Sequence, residues 1–267
     1  MTVHIERVGE PDARIRAILL HGAGGNAAAL WPFAALAAEC GAEVVVPDLP
    51  GYGRTRVPRP GAVRYTDWVD LACALTTAEK GADTRPLWLV GASMGGMLAY
   101  EAATRTGLAD RVVATCLLDP RDPAVRKGVA RTPWLGAIAR PLLRLAAGPL
   151  ANVRLPIRWL VNMNAMSNQP DLADLVLRDK RGGGNRVPLG FLLSYLRSAP
   201  AVEPETVTEP EFLLAHPAAD RWTPVELSAR FFNRIAAPKK LVLLEGAGHF
   251  PIEEPAIGQL VDVLAEG

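Results

Sequence analysis

The sequence predicts an α/β protein, with a mostly parallel central sheet, helices on both faces and one inserted helical cap. Three observations carry that expectation. Over the first 120 residues, short β-branched and Leu-rich runs alternate with longer Ala/Leu-rich stretches of helical character. From about residue 121 to 209 that rhythm breaks, and from about residue 210 it resumes to the end. Strands that are apolar on both faces and separated by helix-length segments belong in a parallel sheet covered on each side. The expected organisation is therefore a core of residues 1–120 and 210–267 carrying a lid of residues 121–209.

Each element follows in order. His4 opens an edge strand, and no clear second strand lies between Val8 and Ile15. Residues 16–21 form a strand, 30–40 a helix, 43–49 a strand, 65–80 a helix, 86–92 a strand, 93–105 a helix and 111–119 a strand. The insertion is rich in proline, contains the turn Gly182-Gly183-Gly184, and reads as helices without intervening strands. Residues 211–216 then form a strand, 223–234 a helix with Pro224 in its first turn, 240–245 a strand and 254–265 a closing helix. An insertion at this point covers the strand ends where ligands bind in such sheets.

Composition narrows the function. A chain of 267 residues supports one large domain with an insertion. A net charge of +1 gives no global attraction to nucleic acid. Cys40, Cys73 and Cys116 are odd in number, far apart and set in apolar segments, which points to buried reduced thiols rather than a disulfide framework or a metal cluster. Residues 1–7 lack the apolar core of a signal peptide, and no run reaches the roughly 18 apolar residues of a membrane span. The expectation is a soluble, cytoplasmic protein.

Chemistry concentrates at strand ends. Gly91-Ala92-Ser93-Met94-Gly95 joins the apolar run 86–90 to a helix-like stretch, which is the strand-to-helix setting that lifts a serine hydroxyl clear of a sheet. A nucleophilic serine needs a base, an orienting acid and donors for the oxyanion of acyl transfer. Among four histidines, His249 follows the last expected strand in a small-residue loop, Gly246-Ala247-Gly248, that can bring its imidazole over Ser93. Asp220, between an expected strand and helix, is the favoured acid; Asp119, also at a strand end, competes with it. The amides of Met94, at a helix N-terminus, and of Ala23, in His21-Gly22-Ala23-Gly24-Gly25, are candidate oxyanion donors. That glycine stretch matches no phosphate-binding spacing. His216 and Asp220, four apart, suggest a metal pair only weakly, because no third ligand is evident; neither a metal nor an organic cofactor is expected.

With His21 to Gly25, the stretch Asp48-Leu49-Pro50-Gly51-Tyr52-Gly53-Arg54-Thr55, Gly91 to Gly95, Asp220 and Gly248-His249 in place, the chain resembles the α/β-hydrolase superfamily, nearest to capped lipase-like and monoacylglycerol-lipase-like esterases. The resemblance covers the core from about residue 15 onward, and the cap in position alone. It implies Ser93 as nucleophile, where epoxide hydrolases and haloalkane dehalogenases carry aspartate, in the chain order Ser93, Asp220, His249. Ala23 is smaller than the bulky residue many relatives have there, leaving room beside the scissile carbonyl. The same triad also serves thioesterases and C–C hydrolases or lyases, and superfamily members include non-catalytic ligand binders.

Residues 121–170 hold eight basic side chains against Asp122 alone, so the insertion is strongly basic. Leu135, Ile138, Ala139, Leu142, Leu143, Leu145 and Ala146 intersperse with Arg140 and Arg144 as an amphipathic basic helix. Such a cap can draw in a small substrate with an apolar chain and an anionic group, or rest on an anionic membrane surface. Equally, the arginines can simply solvate its outer face. Trp134, Trp159, Met163 and Phe191 offer bulk for an acyl pocket or for the core of the cap, and Trp222 stands beside Asp220 as a wall of the site.

Overall fold

The computed structural model describes residues 1–265 but not the side chains of residues 145–147, so the expected apolar positions Leu145 and Ala146 lie outside the described residues. A central sheet of seven strands is present among the described residues. In chain order they are β1 (Ile5–Val8), β2 (Ile15–Leu20), β3 (Ala42–Pro47), β4 (Leu87–Gly91) and β5 (Arg111–Ala114), then β8 (Glu211–Pro217) and β9 (Lys239–Leu244). Their spatial order is β1-β3-β2-β4-β5-β8-β9. Only β1 runs antiparallel, against β3 at one edge.

Helices α1 (Ala27–Glu39) and α9 (Ala256–Ala265) lie on one face, where Leu30, Ala34 and Leu260 pack on Leu19, Val44 and Val113. On the other face, α2 (Tyr65–Gly81), α3 (Met94–Thr106) and α8 (Val225–Phe232) bring Trp68, Leu98 and Phe231 into the layer that holds Ile18, Val45 and Leu89. Every residue of β3 is buried, as a strand covered on both faces requires. The three cysteines are free thiols. No helix among the described residues is long and apolar enough to cross a membrane.

Boundaries move where side chains intervene. Helix α1 starts at Ala27, earlier than its apolar pattern indicates, because the Asn26 carboxamide accepts the Ala29 N–H at 2.8 Å and caps it. The strand expected over 111–119 ends as β5 at Ala114. Beyond it the Leu117 N–H turns to the Ser228 hydroxyl at 3.0 Å instead of a neighbouring strand. The helix expected from residue 223 begins at Val225, since Thr223 is held by Asp220.

The segment between β5 and β8 contains α4 (Pro123–Val129), α5 (Pro133–Leu150), β6 (Arg154–Pro156), α6 (Pro170–Arg178), β7 (Arg186–Pro188) and α7 (Leu189–Arg197). The expectation of helices alone is corrected by β6 and β7, which pair antiparallel over three residues each. Strands this short, each ending in proline, carry no readable alternation. This segment is tied to the core through the Asn26 amide, which donates to Asp179 Oδ2 at 2.7 Å, and through the Asn185 amide, which donates to Gly51 O at 2.7 Å.

Candidate active site

Strand β4 turns into α3 through Ser93, whose φ of 56° and ψ of −123° make it the one non-glycine with positive φ among the described residues. The backbone bends this tightly only where neighbours lack a Cβ. A Cβ on Gly91 would sit 2.2 Å from Gly95 O, and one on Gly95 would sit 2.1 Å from Leu20 O. Strain at a residue so tightly over-determined is typical of a reactive position. The Ser93 N–H donates to Thr115 Oγ1 at 2.9 Å, fixing the turn to the end of β5.

His249 lies in the loop after β9 and Asp220 in the turn after β8. Ser93 Oγ and His249 Nε2 are 2.9 Å apart, and His249 Nδ1 and Asp220 Oδ2 are 2.8 Å apart. An acceptor carboxylate at Nδ1 places the proton there and leaves Nε2 free to accept from the serine hydroxyl. Asp220 also accepts the Trp222 N–H at 2.8 Å, the Thr223 N–H at 2.9 Å and the Thr223 hydroxyl at 2.7 Å. Burial by itself would raise Asp220, but the hydrogen bond and charge of His249, with the Thr223 donors, hold it well below the usual carboxylate range. Burial by itself would lower His249, yet the hydrogen bond and charge of Asp220, together with the neighbouring Cys116 sulfur, outweigh it and raise the imidazole above its ordinary value.

The competing groups are engaged elsewhere. Asp119 is paired with Arg121 at 2.8 Å. His4 bonds to Glu6 at 2.8 Å on the edge strand. His216 faces Pro217 O at 3.0 Å and Cys116 Sγ at 4.0 Å. His21 is fully buried, receives the Leu49 N–H at Nε2 and bonds through Nδ1 to Gly22 O at 2.8 Å. Burial lowers His21 to about 4, so it stays neutral and holds the glycine loop in place. Cys116, Asp220 and His249 bring possible ligand atoms within 4.8 Å of one another, but Asp220 Oδ2 and His249 Nδ1 are already bonded to each other.

The glycine loop abuts the Ser93 turn: a Cβ on Gly22 would lie 3.1 Å from both Met94 N and Ser93 Cβ. The N–H groups of Ala23 and Met94 have no acceptor among the described residues. Ser93, Ala23 and Met94 line a cavity of about 350 Å³ whose remaining wall is almost wholly apolar, including Leu143, Ile157, Phe191 and Trp222. A second, narrower cavity of about 110 Å³ lies between the sheet and helices α1 and α9, and Ser93 and His249 line it too. Ser93 thus borders two apolar spaces.

A model of the alpha/beta hydrolase family matches residues 17–262. The chain belongs to that family. The fold of this hydrolase is shared with a monoacylglycerol lipase from Paleococcus ferrophilus, at a TM-score of 0.78 and 21% identity over 100% of this chain and 99% of that one. It is shared as well with a monoglyceride lipase from Saccharomyces cerevisiae, at a TM-score of 0.78 and 15% identity over 99% of this chain and 90% of the other. In sequence, 103 residues are 39% identical to part of the AMB antimetabolite synthetase AmbE of Pseudomonas aeruginosa. That match spans 38% of the hydrolase and only 4% of the synthetase.

Side chains expected to line an acyl pocket divide. Phe191 and Trp222 line the larger cavity of the hydrolase, and the Trp222 ring lies 4.7 Å from the His249 ring while its N–H donates to Val129 O at 3.1 Å. Trp134, Trp159 and Met163 do not line it, which corrects that expectation. Helix α5 turns Leu135, Ala139 and Leu143 toward the cavity, so Trp134, a neighbour in sequence and about 100° around the helix, is 62% exposed. Trp159 is 54% exposed, and Met163 is buried against Gly24. Three residues that the sequence did not single out for the site also contribute: Thr115, Thr223 and Arg126. Thr223 was legible only as a helix start, and Arg126 only as one of many cap arginines.

Proposed function

We propose that this hydrolase cleaves carboxylic esters of apolar acyl chains through an acyl-enzyme. The observation that carries the reading is the unbroken line from Ser93 Oγ to His249 Nε2 at 2.9 Å and from His249 Nδ1 to Asp220 Oδ2 at 2.8 Å, opening on an apolar cavity. His249 takes the Ser93 proton as Oγ attacks the ester carbonyl, and Asp220 stabilises the imidazolium. The amides of Ala23 and Met94 donate to the oxyanion, helped by the positive end of α3. His249 then gives its proton to the departing alcohol. Water, deprotonated by His249, attacks the acyl-enzyme and releases the acid. None of these steps calls on a metal or organic cofactor.

Residues 121–209 act in this reading as the cap, walling the acyl chain away from solvent, and the smaller cavity on the other side of Ser93 offers space for the alcohol. Thioester cleavage is a second reading, since the same nucleophile, base and oxyanion donors serve a thioester carbonyl equally. A panel of matched acyl esters, acyl thioesters and vinylogous diketones, given to the purified protein, separates the two. Esters turned over fastest are the expected result. Preference for thioesters would favour the second reading, and no turnover of any member would return the chain to the class of ligand binders.

A further inference from the structure

We propose that Arg126 selects, within the cavity at Ser93, esters whose acyl chain carries a carboxylate at its far end. The inference rests on the ester-hydrolase reading above and names the substrate class of that site. Among the described residues, Arg126 is the one charged side chain on a cavity wall otherwise built from groups such as Leu135, Ala139, Leu160, Val161 and Leu192. A purely apolar chain has no use for a guanidinium there, and water serves a cation better than such a wall does.

The nearby carboxylates of Asp122 and Asp119 act on Arg126 only through space, more weakly than burial and Arg140 do, and neither forms an ion pair with it. Asp119 is spent on Arg121 at 2.8 Å, and Asp122 on Arg230 at 2.5 Å and on the Ala124 N–H at 2.8 Å. Arg126 itself donates only through Nη1, to Pro120 O at 3.0 Å and Arg121 O at 2.6 Å, contacts that anchor the head group without neutralising it. Its Nε is buried with no partner at all among the described residues. Burial, and then the like charge of Arg140, lower the Arg126 pKa against a weaker opposing pull from Asp122 and Asp119, so an anion arriving beside it would offset both. A carboxylate suits the vacant edge of the guanidinium, which offers two parallel N–H donors from Nε and Nη2. The reacting carbonyl at Ser93 and the charge at Arg126 then fix the two ends of one acyl chain, with apolar wall between them.

The test compares mono-p-nitrophenyl esters of dicarboxylic acids, from succinate to dodecanedioate, with p-nitrophenyl esters of fatty acids of equal length. Hydrolysis releases p-nitrophenolate and the dicarboxylate or fatty acid, so one absorbance reads both series. At one chain length the carboxylated ester is expected to match or exceed its neutral counterpart in kcat/KM. Replacing Arg126→Gln should lower that value by roughly 10- to 100-fold more than it lowers the value for the neutral ester, and Arg126→Lys should recover part of the difference. The proposal is overturned if wild-type protein prefers the neutral ester by on the order of 100-fold at every length, the discrimination an uncompensated apolar wall imposes. That wild-type profile decides even where the glutamine variant does not fold. Silence of both series would instead remove the ester-hydrolase reading, and this inference with it.

Discussion

Thr223 makes the residue scale concrete. Its hydroxyl donates to Asp220 Oδ2 at 2.7 Å and lies 3.2 Å from His249 Nδ1, so one small side chain helps aim the acid at the imidazole. Nothing in its sequence neighbourhood announces this, because the partner histidine is 26 residues away. Ser93, Asp220 and His249 stood out in sequence because each follows an apolar strand and belongs to a residue type with a known chemical role. Thr115 and Arg126 did not, since their significance comes only from what the fold sets beside them. At this scale the electrostatics make a signed prediction. Asp220 raises His249, and the general base must be neutral in free enzyme, so kcat/KM should climb with pH along a limb whose midpoint lies above the ordinary imidazole value of about 6.5. In Asp220→Asn the midpoint should fall and the rate should drop by on the order of 10⁴. A wild-type midpoint below 6.5, in a profile from about pH 4 to 10, would contradict the assignment of roles.

Among the elements, the β4 to α3 turn is the most constrained. Gly95 lies under Leu20 O and Gly96 under Cys116 O, so the start of α3 is pressed against the ends of β2 and the segment after β5. In Gly95→Ala the new methyl would stand 2.1 Å from a backbone carbonyl that has no freedom to withdraw. Overpacking of this kind costs about 1–3 kcal/mol or more. The urea midpoint of that variant should therefore fall, and an unchanged midpoint would show the turn to be looser than described. The glycines were legible because strand-turn-helix context gives them a steric reason. Helix α5 teaches the opposite lesson. Its composition advertised bulky Trp134, but direction around a helix depends on what it packs against, and the cavity is lined by Leu135 and Ala139 instead.

For the molecule as a whole, the alternation of apolar runs and helices sufficed to anticipate a parallel sheet, since that pattern has few other packings. It could not anticipate the short pair β6 and β7, nor the bonds from Asn26 to Asp179 and from Asn185 to Gly51 that dock residues 121–209 over the site. Those contacts join residues 153 and 134 positions apart, beyond the reach of any local pattern. Among the described residues the Ser93 hydroxyl stands at the junction of two apolar cavities, with one guanidinium on the larger wall. The whole account turns on the reactivity of that hydroxyl. Incubation with a fluorophosphonate, followed by peptide mass mapping, measures it directly. The account predicts one adduct per chain, on Ser93, with labelling slowed steeply in His249→Ala. Folded protein that takes up no label, or is labelled at another serine while residue 93 stays free, would contradict it.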